Sequence, residues 1–212
     1  MTRGRFITFE GGEGVGKSTQ VRRLADRLQG RGEVVVTREP GGSPGAVAIR
    51  GLLVNGATER WSPISETLLM YAARRDHIER LIAPALERGA WVVCDRFYDS
   101  SRAYQGAAGG APASLLRALE AEVVGELVPD LTLILDLPVK AGLARAGRRG
   151  EHENRFEAKG AAFHERLREA FLAIAANEPD RCRVIDATGG LGAVEQRIWA
   201  EIDARWGPFE HG

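Results

Sequence analysis

Neither sign of charge is in excess in this sequence: 29 basic residues stand against 29 acidic ones. A general polyanion binder carries a basic surplus, so a nucleic-acid partner is not expected. No apolar run approaches the roughly 20 residues of a membrane-spanning helix. The first strand-like run begins almost at the N-terminus, so no signal peptide is expected. Cysteine is scarce. Cys94 and Cys182 lie far apart in apolar, strand-like runs without metal-ligand spacing, which predicts reduced core residues. There is no internal repeat, linker or low-complexity segment, and 212 residues suffice for one α/β domain with a full core. Together these features predict a soluble, cytoplasmic protein. Lysine is the rarest of the charged residues: only three of the 29 basic side chains are lysines.

One of those three is Lys17, in the stretch Gly11-Gly12-Glu13-Gly14-Val15-Gly16-Lys17-Ser18. It fits G-x-x-x-x-G-K-[ST]. A strand-like run, Arg5 to Phe9, precedes it and a helical pattern follows, the context that a phosphate-binding P-loop requires. A glycine-rich turn that merely joined strand to helix would not need all eight positions. Glycines let backbone N–H groups turn inward and approach phosphates closely. The following helix adds its N-terminal amides and the positive end of its dipole. In such a loop Lys17 reaches the β/γ-phosphates and the Ser18 hydroxyl binds Mg²⁺. Gly11 to Ser18 are therefore the candidate ATP-binding residues.

Strand and helix patterns alternate along the whole chain. Helical spacing over 18–30 ends at Gly30 and Gly32, and Glu33 to Thr37 reads as a strand. A helix is predicted over 44–54, and a longer helical region over 64–88 that breaks near Pro84. Ala90 to Asp95 is a strand apolar on both faces until its terminal carboxylate, as in the middle of a parallel sheet. Residues 96–111 read as a polar, Gly-containing segment, and a helix follows over 112–125. Further strands are predicted at Leu131 to Leu137 and Arg183 to Asp186, and further helices after Pro138, over 157–177, and up to about 206. Residues 147–155 are rich in Gly, Arg and Glu without apolar periodicity and read as a mobile lid. The predicted architecture is a single α/β domain of P-loop NTPase type over 1–212, with a five-stranded parallel sheet, helices on both faces and a short lid. In such sheets ligands bind outside the carboxyl ends of the strands. That rule gathers the P-loop, Arg38 to Ser43, Asp95 to Gln105 and the region after Asp186 around one crevice.

A P-loop names a nucleotide and not a reaction. Asp95 stands where a Mg²⁺-binding carboxylate sits in P-loop proteins. Arg38, Arg74 and Arg96 bring three guanidinium groups, suited to bidentate grip on phosphate, toward the same crevice. They suggest a second anionic ligand.

The stretches Thr37-Arg38-Glu39-Pro40-Gly41-Gly42, Tyr71-Ala72-Ala73-Arg74, Asp95-Arg96-Phe97, Ser100-Ser101, Ala103-Tyr104-Gln105-Gly106 and Pro129-Asp130-Leu131 through Asp136 follow the P-loop in order. With it they resemble the bacterial thymidylate kinase (dTMP kinase) family over nearly the whole chain. The resemblance implies transfer of the γ-phosphoryl group of ATP to dTMP, with Mg²⁺, in dTTP biosynthesis by a homodimer. It implies that Arg38 and Arg96 clamp the dTMP phosphate and that Glu13 accepts from the sugar 3′-OH. Arg74 and Gln105 read the thymine edge, Ser101 joins the dTMP site, and Tyr104 fills the place of a 2′-OH. Met70 stands where the family often has an aromatic residue stacked on thymine. Gly14 stands where some members carry a catalytic arginine. Members lacking that arginine usually draw arginines from the lid, which here offers Arg145, Arg148, Arg149 and Arg155. Of these, Arg149 is the catalytic candidate, beside Lys17, Arg96 and Asp95, and Arg145 is a candidate ATP contact. Family lids usually show Asp-Arg where this chain has Asn154-Arg155.

No protein nucleophile or general base is needed, because the attacking phosphate oxygen is already ionised. None of the four histidines falls in a predicted strand-end loop. Three rivals are a different nucleoside or nucleoside-monophosphate kinase, a GTPase switch, and a module that binds nucleotide structurally. A GTPase switch carries an Asn-Lys-x-Asp signature, and this sequence has none.

Overall fold

Strand β1, Arg5–Glu10, is the centre of a five-stranded, all-parallel sheet. The computed structural model describes residues 3–147, 155–156 and 159–207. Helix α1 (Lys17–Leu28) leads to β2 (Val34–Arg38), which takes the outer position, and α2 (Pro44–Val54) follows. Helix α3 (Pro63–His77) continues through a wide turn at Ile78–Ile82 into α4 (Ala83–Glu87), and β3 (Trp91–Asp95) returns between β2 and β1. After α5 (Tyr98–Ser101), a wide turn at Arg102–Ala107 and α6 (Ala113–Leu119), strand β4 (Leu131–Asp136) joins the other side of β1. Helices α7 (Val139–Gly147) and α8 (Ala161–Asn177), strand β5 (Cys182–Asp186) and helix α9 (Leu191–Trp206) complete the order β2-β3-β1-β4-β5.

The register aligns the carboxyl ends of the strands. Arg38 pairs with Asp95, Phe9 with Asp95, and Asp136 with Asp186. The loops predicted to meet at one edge therefore leave the sheet at the same level. Both faces of β1 are covered. Ile7 and Phe9 pack with Leu24, Leu28, Ile198 and Ile202 beneath α1 and α9. Phe6 packs with Tyr71, Ile82 and Phe97 on the opposite face. Complete burial of such side chains contributes about 1.5–3 kcal/mol each. Thr8 is the polar exception, and its hydroxyl is matched by that of Thr132 at 2.8 Å. Cys94 and Cys182 are buried and unbridged. No described helix is long and apolar enough to cross a membrane.

Three local expectations change. The segment 96–111 is largely helical, over Tyr98–Ser101 and Arg102–Ala107. Its N-terminal amides are satisfied from far away in sequence: Phe97 N–H and Ser100 N–H donate to Glu10 Oε1 at 2.7 and 3.3 Å. The long α3 region widens at Ile78–Ile82, and Pro84 falls in the first turn of α4. A proline there lacks one donor and crowds the preceding turn, which the wider turn accommodates. Helix α8 begins at Ala161 instead of 157, after Gly160. The expected lid lies almost wholly outside the described residues, Arg148 and Arg149 included.

Candidate active site

The P-loop turns tightly because other backbone lies against it. At Gly14, φ is +69°, and a Cβ there would lie 1.9 Å from the Gly142 carbonyl oxygen of α7. A side chain in that position would force α7 or the loop to shift. Lys17 opens α1 and folds back over the loop, donating to the Gly11 and Gly12 carbonyls at 3.1 and 2.7 Å. Burial, and then the Arg96 charge, pull its ammonium down to about 8 against nearby carboxylates. The next residue, Ser18, donates its hydroxyl to Asp95 Oδ2 at 2.6 Å. Two hard oxygens at the phosphate end of the loop are a donor set suited to Mg²⁺, which takes its remaining ligands from phosphate and water.

Arg96 follows directly on β3 and is the only described residue other than glycine with positive φ, +71°. Such a conformation costs on the order of 1–3 kcal/mol and persists only where surrounding contacts enforce it. Here its N–H donates to Phe9 O at 2.9 Å. Its guanidinium donates to Gly11 O at 2.9 Å and to Glu13 Oε1 at 3.0 Å. Tyr104 donates its hydroxyl to the same Glu13 oxygen at 2.6 Å, and Arg96 lies 4.8 Å above the Tyr104 ring. Burial alone would raise the Glu13 pKa. Arg96, Lys17 and the Tyr104 hydroxyl outweigh it and bring the carboxyl down to about 2. Beneath lies Glu10, fully buried, accepting the Ser100 hydroxyl at 2.6 Å as well as the two amides. It is an unforeseen organiser of this segment. A carboxylate closing an otherwise apolar strand was its only sequence signal.

The far end of the site is built around Arg74, which is 2 % exposed. Its Nε donates to Glu39 Oε2 at 2.8 Å, and its Nη2 donates to Phe97 O at 3.2 Å and Ser101 Oγ at 3.0 Å. Its Nη1 is buried without a partner. His77 lies behind Glu39, with Nδ1 3.0 Å from Glu39 Oε1 and Nε2 2.7 Å from Thr37 Oγ1. A histidine therefore does reach a strand-end loop, from the side of α3, but both its nitrogens are engaged, one with Glu39 and one with Thr37. Gln105 is buried and donates its amide to Glu66 Oε1 at 2.9 Å.

These groups face one cavity of about 1120 Å³, counted to its open mouth. It brings together Glu13, Gly14, Gly16, Lys17, Ser18, Arg38, Met70, Arg74, Asp95, Arg96, Ser101, Tyr104 and Gln105. Glu39 and Ser100, from loops expected at the crevice, also line it, and so do Arg50 and Phe156, which were not foreseen. Arg50 donates to Pro40 O at 2.7 Å, so it buttresses the loop that carries Arg38. Gly11, Gly12 and Val15 do not line the cavity. The Val15 side chain is in the core, and Gly11 and Gly12 present carbonyls to Lys17. The region after Asp186 does not line it either. Ala187 O instead receives Arg145 Nη1 at 3.4 Å. Arg155, grouped with the lid arginines from the sequence, is 3 % exposed and pairs with Glu66 at 2.5 Å beside α2 and α3.

Comparison with known proteins identifies the family. The thymidylate kinase family model matches residues 9–198. A thymidylate kinase of Caulobacter vibrioides is 67 % identical over 208 residues, which is 98 % of this chain and 100 % of that protein. One from Afipia carboxidovorans is 55 % identical, covering 96 % of this chain and 90 % of its own. The crystal structure of a thymidylate kinase from Ehrlichia chaffeensis superposes with a TM-score of 0.77 at 33 % identity, over 94 % of this chain and 99 % of that one. The chain therefore belongs to the thymidylate kinase family.

Proposed function

We propose that this chain transfers the γ-phosphoryl group of ATP to dTMP, giving ADP and dTDP for dTTP synthesis in the cytoplasm. The observation that carries the acceptor assignment is the unpartnered, buried Nη1 of Arg74 in a cavity that the P-loop also lines. A buried donor without a partner is costly, and a ligand carbonyl such as thymine O4 satisfies it. Gln105 adds a carbonyl oxygen that accepts from the base N3–H. Met70 packs against the base, and Ser101 holds Arg74 in place.

In the reaction, an oxygen of the dTMP phosphate attacks the γ-phosphorus while the bond to the β-phosphate oxygen breaks. Arg38, exposed at the cavity mouth, and Arg96 hold the acceptor phosphate. When Arg96 turns from Glu13 to that phosphate, Glu13 is left to accept from the 3′-OH, with Tyr104 still donating to it. Tyr104 also occupies the space that a 2′-OH would need. Lys17 leaves the two loop carbonyls for the ATP phosphates. Ser18 and Asp95 would hold Mg²⁺, which when bound would supply charge neutralisation. Arg149, outside the described residues, serves the transferring group, and Arg145 serves ATP beside Ala187. Catalysis is positioning and charge neutralisation, without general-base chemistry.

The active species is a homodimer. Val47, Ile64 and Leu68 are 57, 48 and 48 % exposed on α2 and α3, an apolar surface that a second copy would cover. Coupled ADP release with ATP and Mg²⁺ across dTMP, dUMP, UMP, CMP, AMP and GMP tests the assignment. The expected order is dTMP, then dUMP, then UMP. A missing methyl removes about 1–3 kcal/mol, so dUMP stays measurable. Equal or better turnover of CMP or AMP refutes the reading.

A further inference from the structure

We propose that Glu66, held by Arg155, is a specificity-determining positioning residue: it decides which end of the Gln105 amide meets the acceptor base. The inference rests on reading the cavity as a dTMP site. Glu66, Gln105 and Arg155 are 5, 2 and 3 % exposed. Arg155 is fixed three ways, by Glu66 Oε2 at 2.5 Å, Ala57 O at 3.0 Å and Leu53 O at 3.2 Å. Its neighbour Phe156 lines the cavity with its ring edge-on to Tyr104 at 5.6 Å. Arg155 is thus built into the wall of the acceptor side.

One Glu66 oxygen takes this guanidinium, and the other accepts Gln105 Nε2 at 2.9 Å. A carboxylate can only accept, so it commits the NH₂ end of the Gln105 amide. The end left for a ligand is the carbonyl oxygen. That oxygen suits a base with a ring N–H, as thymine and uracil have at N3. It repels a base with a bare ring nitrogen, as cytosine has there. Gln105 alone could present either end, since its amide rotates through a half-turn at little cost. The Glu66 carboxylate makes the choice.

The test compares dTMP with 5-methyl-dCMP, which differ only along this base edge, in steady-state kinetics with ATP and Mg²⁺. In E66Q the introduced amide can donate to the Gln105 carbonyl and free its NH₂ for the base. The ratio of kcat/KM for dTMP over 5-methyl-dCMP is expected to fall by about 10-fold or more, with the KM for ATP unchanged. R155M is expected to raise the KM for dTMP severalfold at constant kcat, and R155K to restore part of it. A folded E66Q with the wild-type ratio overturns the proposal. So does an R155M that loses kcat at unchanged KM for dTMP, since Arg155 would then act in phosphoryl transfer. If E66Q does not fold, the two Arg155 variants decide by the same split. A wild-type enzyme that shows no preference for dTMP over 5-methyl-dCMP refutes the underlying substrate assignment, before any variant is considered.

Discussion

Replacing Glu10 by glutamine should change how stability depends on pH. The Glu10 carboxyl is fully buried at the end of β1. Burial pushes its pKa up and the Asp99 charge adds to this, while the Ser100 hydroxyl, Arg96 and the Phe97 amide pull it back, leaving about 7 against an ordinary 4.5. Between those values the folded protein holds a proton that the unfolded chain has released. Stability therefore falls as pH rises from about 4.5 to about 7, and the loss is complete above that. The interval corresponds to about 3 kcal/mol. Glu10→Gln has no such proton. Its amide still accepts through one oxygen, and the Ser100 hydroxyl can rotate to accept from its nitrogen. Urea denaturation of both proteins from pH 4.5 to 8 is the assay. The mutant should gain about 3 kcal/mol relative to wild type across that range, whatever its offset at acid pH. Titrations common to both, Glu13 among them, cancel in the difference. Parallel curves would show that Glu10 does not carry its proton into the neutral range, and the reasoning would fail.

Other variants probe the phosphate end. Lys17→Met should abolish transfer while the protein stays folded, since neighbouring backbone holds the loop; near-normal turnover in a folded mutant would refute the P-loop role. Gly14→Ala should destabilise the fold by about 1–3 kcal/mol and raise the KM for ATP, because the new Cβ meets the Gly142 carbonyl at 1.9 Å. An unchanged melting temperature would contradict that packing. Arg96→Ala should impair dTMP use far more than ATP binding, with a loss of about 1.5–3 kcal/mol in kcat/KM for dTMP. Separate saturation with each substrate checks it. Arg149→Ala should lower kcat by about 10²-fold or more with little change in KM for dTMP, and Arg148→Ala should be milder. If both and the double mutant keep wild-type kcat, the charge on the transferring group comes from elsewhere.

Much of this was legible in the chain because the information is local. The strand–loop–helix around Lys17 sits within one short window, and the inner strands are largely apolar runs ending in the carboxylates Glu10, Asp95 and Asp136. What escaped is what long-range contacts decide. Residues 96–111 lack apolar periodicity, and their helix is started by Glu10, which lies 87 residues before Phe97. Arg155 looked like its arginine-rich neighbours, yet its partner is a glutamate on α3. His77 sits mid-pattern on a helix, and only the pairing of β2 with β3 brings Thr37 and Glu39 to it. Pattern reading places elements along the chain. It does not say which charged side chain ends beside which.

The charges in the cavity fall into two kinds, and the difference bears on how a bisubstrate site of this family is prepared. Lys17 and Arg96 are satisfied from within, by the Gly11 and Gly12 carbonyls and by Gly11 and Glu13. They must exchange those partners to reach phosphate, so part of the gross phosphate energy is spent on the exchange. Arg74 differs. Three of its contacts point into the protein, and its remaining Nη1 has no partner to surrender. A base that meets it adds a bond without breaking one, and the buried Glu39 and His77 keep the guanidinium from turning. On the proposed assignment the Arg74 end is preorganised to discriminate by fit, while Lys17 and Arg96 rest in a neutralised arrangement. On the proposed reading, separating the two tasks would let the site recognise the acceptor base before Lys17 and Arg96 leave their loop partners.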